Sequence, residues 1–181
     1  MKVYQSFLPI VGLICFFACN PVKTAVTEVS PSYSLANYSS FAFFETSAEG
    51  DLSENYQKHL DFMKSEISKH MSYRGLLPAS NGEADLLINI GILVEKKAQT
   101  RETGLLTDPG TFNYIGQQRY TWKSETVEVG QYRKGSVDVH LVDAKNNEAV
   151  WAGVTTGVID EKEDKLLKTI SKGVSEMFEK L

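Results

Sequence analysis

At 181 residues the chain has the size of one domain built around a single core. Hydrophobic residues at 42% and charged residues at 23% are ordinary globular proportions and exclude wholesale disorder. The formal net charge of -4, with no Lys/Arg cluster along the chain, excludes the basic stripe a nucleic-acid binder needs to neutralise phosphates.

The N-terminus carries the strongest signal. Lys2 supplies a positive start, and Phe7 to Ala18 supply an apolar run ending in a small residue before Cys19. That run is too short to span a hydrocarbon core, which needs about 20 residues, and has the length of a signal-peptide h-region. The string FFAC at residues 16–19 is similar to a bacterial lipobox, with Phe16 in place of the usual leucine. Cys15 is the poorer candidate because the bulky Ile14 precedes it.

Residues 1–18 are therefore expected to be a signal peptide, 19–37 the lipidated Cys19 and a tether, and 38–181 a single domain. Cleavage leaves 18 basic and 23 acidic side chains, a net charge of -5. With Cys15 removed and Cys19 acylated, no disulfide, zinc site or cysteine nucleophile can form. The expected partner at this end is membrane lipid, held through the acyl chains on Cys19. Asn20, directly after Cys19, is not the acidic residue common in inner-membrane retention signals, and no acidic cluster marks surface export. The expected place is the bacterial envelope, on the periplasmic side of the outer membrane.

Residues 20 to about 37 are rich in Pro, Ser, Thr and Val and read as a tether entering the domain. Ser39 to Phe44 reads as a first strand. Residues 51–75 read as a helix, with Asp51 as cap and Glu54 three residues on. Leu52, Tyr56, Leu60, Met63, Ile67 and Met71 recur there at steps of three and four, and Gly75 fits the position just past the end. In residues 84–95, Leu86, Ile88, Ile90, Ile92 and Val94 alternate onto one strand face. A long polar stretch from 96 to 118 follows, then strands near 119–129, 135–143 and 149–159. Asp143 to Glu148 has the Asp/Asn content of a hairpin turn. A last helix is expected from about Asp160, again with an acid, Glu163, three residues on, and with Leu167, Ile170, Val174, Met177, Phe178 and Leu181 as its stripe. The expected fold is α+β, in the order β-α-β-β-β-β-α. A mostly antiparallel sheet of about five strands would carry both helices on one face.

The run YRKGSVDVHLVDAKNNEAVWAGVTTGVID (132–160) resembles the domain-of-unknown-function 4136 family of bacterial envelope lipoproteins. Val150-Trp151-Ala152-Gly153 is its most specific piece, and SYSLANYSSFAFF (32–44), EADLLINIGILVE (83–95) and the closing helix extend the likeness. The resemblance implies a Gram-negative envelope lipoprotein and brings no agreed activity. Many members have a middle loop rich in Gly and Trp, whereas here its aromatics are Phe112 and Tyr114.

Asp138 and His140 are the sharpest chemical pair, two apart on one strand and therefore on one face. If Val150, Ala152, Val154 and Val158 face the core, Trp151 joins them on the open face, with Asn89 as a possible neighbour. Such a face suits partner binding through an exposed Trp, or less readily an acid/base pocket. Its plainer reading is the solvated side of a sheet. Phe112 and Tyr114 are candidate loop contacts, against a hairpin extension or connector as the plainer reading.

Gly153-Val154-Thr155-Thr156-Gly157 mimics a nucleophile elbow, but it sits within a strand and no histidine follows. His59 and His70 lie about three helical turns apart, too far to share a metal ion, and read as polar helix surface. No phosphate-cradling glycine string is present. The sequence therefore predicts no metal, no cofactor and no catalytic residue. It predicts a membrane-anchored module that binds an envelope partner or scaffolds an assembly; the alternative is a small-ligand carrier or enzyme using the open sheet face.

Overall fold

The computed structural model describes residues 22–31, 33–79, 83–104, 108 and 124–181. Cys19, Phe112 and Tyr114 lie outside these. The elements are β1 (Lys23–Val29), a short 3-10 turn (Leu35–Asn37), β2 (Ser40–Gly50), α1 (Tyr56–Tyr73), β3 (Leu77–Pro78), β4 (Leu86–Glu102), β5 (Thr126–Asp143), β6 (Glu148–Ile159) and α2 (Glu163–Phe178). They form one six-stranded sheet in the order β1-β6-β5-β4-β2-β3. The fold is α+β as expected, but the sheet is mixed and larger than the five mostly antiparallel strands predicted. β1, β6, β5 and β4 run antiparallel, while β2 pairs parallel with both β4 and β3. The parallel pairing follows from connectivity, because α1 carries the chain from β2 back over the sheet to β4.

Several strand boundaries differ from expectation, β2 running on to Gly50 and β4 to Glu102. The tether stretch contains β1, which pairs with the edge of β6 and whose Thr24 carbonyl also accepts from Lys180 Nζ. Of the strand expected at 119–129, residues 119–123 lie outside the described residues; Thr126–Val129 runs on into the strand expected at 135–143 as one long β5, bulged where Gln99 pairs with Gly130 and Thr100 with Glu128. β2 ends opposite Val94 and β6 opposite Arg133. Beyond them, Lys97–Glu102 pairs only with β5, so part of the polar stretch is a two-stranded arm about 20 Å long.

Both helices carry the expected stripes, and both start later than expected. Asp51 does not cap α1. The chain turns at Gly50, whose φ of +94° suits a glycine, and Asp51 pairs with Lys96 at 3.0 Å while its N–H bonds Val94. α2 begins after Asp160 has turned the chain by accepting from the Lys162 N–H at 2.9 Å. At the other end of α1 the sequence reading holds. Gly75 has φ +88°, its N–H bonds Ser72 O, and the Leu76 N–H reaches Met71 O, a double bond pattern that closes the helix.

The helices lie side by side and parallel. Lys58 pairs with Glu163, Ser171 Oγ donates to Glu66 at 2.6 Å, and the Arg74 guanidinium bonds the Phe178 carbonyl. Each contact joins residues 104 or 105 apart, so the register is constant along both helices. Glu66 is buried, and the hydrogen bonds from Lys69 and Ser171 hold its carboxyl below the usual range. His70, expected on polar surface, stacks on Phe178 at 5.6 Å, and burial lowers its pKa.

The most consequential departure is in β6. Asp143 to Glu148 forms the expected turn, with Asp143 Oδ1 accepting from the Lys145 and Asn146 N–H groups. A regular hairpin would then set Val150 opposite Leu141. Instead Val142 pairs with Ala149 and Leu141 with Trp151, leaving Val150 as the extra residue of a bulge. One inserted residue exchanges the faces of everything after it. Trp151, Gly153 and Thr155 therefore share the helix-facing side with Val137, Val139 and Leu141. Trp151 is 1% exposed against Phe178, with ring centroids 6.3 Å apart. A Cβ on Gly153 would lie 2.5 Å from the indole.

Trp151→Ala is expected to cost about 3–5 kcal/mol and Gly153→Ala about 1–3 kcal/mol through overpacking, read as urea midpoints. Trp151→Phe should cost less than the alanine variant, since the indole N–H has no hydrogen-bond partner among the described residues. Glu66, its pKa lowered in the fold, contributes stability that is full above the unfolded glutamate pKa of about 4.3 and falls as the pH drops below it. In Glu66→Gln that part of the pH–stability curve should flatten.

Candidate functional site

The bulge divides the predicted site. Asp138 and His140 do share the open face, where His140 is exposed and pairs in register with Asn89 and Ala152. Asn89 Oδ1 accepts from the Glu45 N–H at 3.2 Å, fixing that side chain to the backbone of β2. Trp151 is on the opposite face, inside the core. The aromatic anchor expected beside Asp138 and His140 is therefore not there, and the structure brings together two of the three residues. The Gly153–Gly157 segment lies within β6, as a strand reading requires.

The helix-facing side holds a different feature. Trp151, Phe178, Met71 and Ile67 fill the space between sheet and helices at the C-terminal ends of α1 and α2. Toward the helix N-termini the same layer opens into an apolar cleft of about 250 Å³. Tyr56, Leu60 and Met63 of α1 form one wall, and Ile170, Val174 and Met177 of α2 the other. Val137, Val139 and Thr155 line the floor.

The glycines explain why space remains. Gly135 and Gly157 are register partners on the helix-facing side, so neither position adds a side chain of its own to the floor where β5 and β6 meet. The Ile159 side chain reaches over Gly135, where a Cβ would sit 3.1 Å from Ile159 Cδ1. Gly173 brings α2 down onto Thr155, whose hydroxyl would be 3.1 Å from an added Cβ. Close-packed interiors leave few voids larger than a water, so a cleft of this size is a specific product of these residues. Glycines inside strands mark places where a side chain is excluded or a neighbour approaches, but they do not by themselves announce a cavity.

The lining is chemically quiet and the rim is charged. Burial pushes the Tyr56 phenol above its ordinary range, leaving a neutral donor in one wall. Thr155 Oγ1 lies 3.2 Å from Thr24 Oγ1. At the mouth Lys58 meets Glu163, holding that carboxyl below its ordinary range, Lys96 meets Asp51 at 3.0 Å and Lys165 meets Asp160 at 3.4 Å. Exposed pairs of this kind are screened by water and contribute little to stability. They tie Glu163, Asp51 and Asp160 to cations; His59, Arg133 and Glu161 also line the cleft, and the walls between the helices offer apolar contact. Val22, 5% exposed, closes the β1 side of the cleft.

The chain matches the family model described as Domain of unknown function (DUF4136) over residues 25–181. No curated protein matches it. Among solved structures it is similar to a PDZ domain protein from Parabacteroides distasonis, with a TM-score of 0.47 and 17% identity. That match covers 87% of this chain and 34% of the other, so the chain spans about a third of that protein's length. It is also similar to a PelC dodecamer subunit from Paraburkholderia phytofirmans, with a TM-score of 0.46, 11% identity and coverage of 85% and 95%. Among the described residues no helix is long and apolar enough to cross a membrane.

An environment-sensitive apolar dye should bind at about one per chain. Gly157→Leu, which fills the floor without disturbing Trp151, should weaken it at least about tenfold, a loss of roughly 1.4 kcal/mol, in a fluorescence titration. His140→Ala should leave dye binding unchanged.

Proposed function

The chain belongs to the DUF4136 family, and on that premise we propose that it is a membrane-anchored lipoprotein of the bacterial envelope whose domain is a non-catalytic binding module. Its binding site is the cleft beneath the helices. The observation that carries this reading is the cleft itself: an apolar cavity floored by a glycine pair in a domain otherwise packed around Trp151 and Phe178. Ligand sites are typically concave and mostly apolar, with a few polar groups that set orientation. Tyr56 and Thr155 are those groups here.

The anchor is supported by the apolar segment ending in Ala18-Cys19. Several acyl chains on one cysteine, each methylene contributing about 0.8 kcal/mol, make membrane attachment effectively permanent. The ligand class is apolar or amphipathic, since the walls offer aliphatic contact while the charged groups, Arg133 and Glu161 among them, stand with the paired Asp51, Asp160 and Glu163 among the lining residues. This reading moves the binding site from the open sheet face, where Asp138 and His140 lie, to the face that Trp151 occupies.

The test has two parts. Cys19→Ser should lose incorporation of labelled palmitate and move the protein from the membrane fraction to the soluble periplasm. Native mass spectrometry of that soluble form should show an apolar adduct that Gly157→Leu lacks. A wild-type chain that takes up no labelled palmitate would end the lipoprotein reading, and an adduct retained by Gly157→Leu would place the ligand elsewhere.

A further inference from the structure

We infer that the cleft receives a fatty acyl chain, and that its source is the protein's own Cys19. The inference rests on the lipoprotein reading above and goes beyond it by naming the ligand.

Val22 is buried and lines the cleft, and the next residue, Lys23, pairs with Thr156 beside Gly157. The domain therefore begins at the cleft, on the edge formed by β1, β6 and α2. Only Asn20 and Pro21 separate Val22 from Cys19. Covalent geometry allows three residue steps to span at most about 10 Å. The Cys19 backbone thus lies within about 10 Å of Val22 whatever path those residues take, and its thioether and glyceryl linkage add only a few bonds before the acyl chain begins.

Size and chemistry agree with that occupant. An apolar cavity of roughly 150 Å³ takes a benzene. At about 250 Å³ the cleft has room for more than that, enough for part of one chain. An acyl chain carries no charge to be matched, which suits walls of Leu60, Met63, Ile170 and Val174. A chain tethered this closely also competes at an effective concentration of about millimolar, as short flexible linkers give. A free lipid in the same compartment has no such advantage. Where Cys19 bears several chains, one can occupy the cleft while the others remain in the bilayer, which would hold the cleft end of the domain toward the membrane.

The experiment uses the full chain, matured in cells fed a diazirine-bearing palmitate analogue and purified from membranes. After irradiation, the expected result is an intramolecular crosslink from the Cys19 peptide to β5 around Val137 or to α2 around Val174. Gly157→Leu should reduce that crosslink at least about fivefold while acylation of Cys19, read by mass, is unchanged. In parallel, palmitate added to the soluble Cys19→Ser form should raise its Tm by a few degrees, and should not do so in Cys19→Ser/Gly157→Leu.

Acylated protein whose crosslinks run only to bulk lipid or detergent would overturn the inference and leave the lipoprotein reading standing. Crosslinks from membrane phospholipid into the cleft, with none from Cys19, would overturn the source and assign the site to a lipid in trans. Absence of palmitate stabilisation would overturn the acyl chain as ligand. An unacylated Cys19 would overturn this inference together with the lipoprotein reading it rests on.

Discussion

The single extra residue at Val150 governs the rest of the structure. By bulging there, β6 delivers Trp151 to the helix-facing side, opposite Leu141 and against Phe178. Once the indole is in that place, its neighbours have little freedom. Gly153, next on the same face, can gain a side chain only if its neighbours shift, because a Cβ would meet both Trp151 and Met177 at 3.0 Å or less. α2 settles onto the sheet at the height this permits, with Val174, Met177 and Phe178 buried. Large aromatic burial is the main favourable term available to a domain of this size, so its position decides which face becomes the core.

The same constraint makes the two ends of the helix layer unlike. At the C-terminal ends of the helices, Trp151, Phe178 and Met71 fill the layer, and Arg74 clamps α1 to the last turn of α2. At the N-terminal ends the helices keep their register through Lys58 and Glu163, but the floor between them offers Gly135 and Gly157. Holding two helices parallel while removing the side chains beneath one end leaves a cleft without splaying the fold. The filled end supplies the burial that permits the other end to stay open, consistent with stability being unevenly distributed through a domain.

β1 joins this arrangement to the N-terminus. It adds a sixth strand beside β6, places Thr24 against Thr155, and sets Val22 at the border of the cleft. A segment with the composition of a tether thus becomes part of the sheet at the site's edge. The long β4–β5 arm extends on its own pairing past the ends of β2 and β6, so the sheet has a compact body and a projecting ribbon.

What the sequence determined by itself was local. The apolar stripes of both helices, the one-face alternation of Leu86 to Val94, the Asp143–Glu148 turn and the left-handed cap at Gly75 are written in spacings of two, three and four residues. Neighbouring residues alone satisfy those patterns. The α+β class and the family likeness were legible for the same reason, and so was the pairing of Asp138 with His140 on one face. Tertiary structure decided the remainder. β1 is a strand only because β6 offers it an edge, and β5 runs unbroken through Gly130 and Gly135 because β4 supplies a continuous partner. Which face of β6 carries Trp151 depends on one bulge that no periodicity announces, since a shift of one residue preserves the alternation and exchanges its sides. The cleft was hidden for a related reason: an empty volume belongs to no residue, and it exists only where Gly135 and Gly157 are set beneath two helices that cannot close over them.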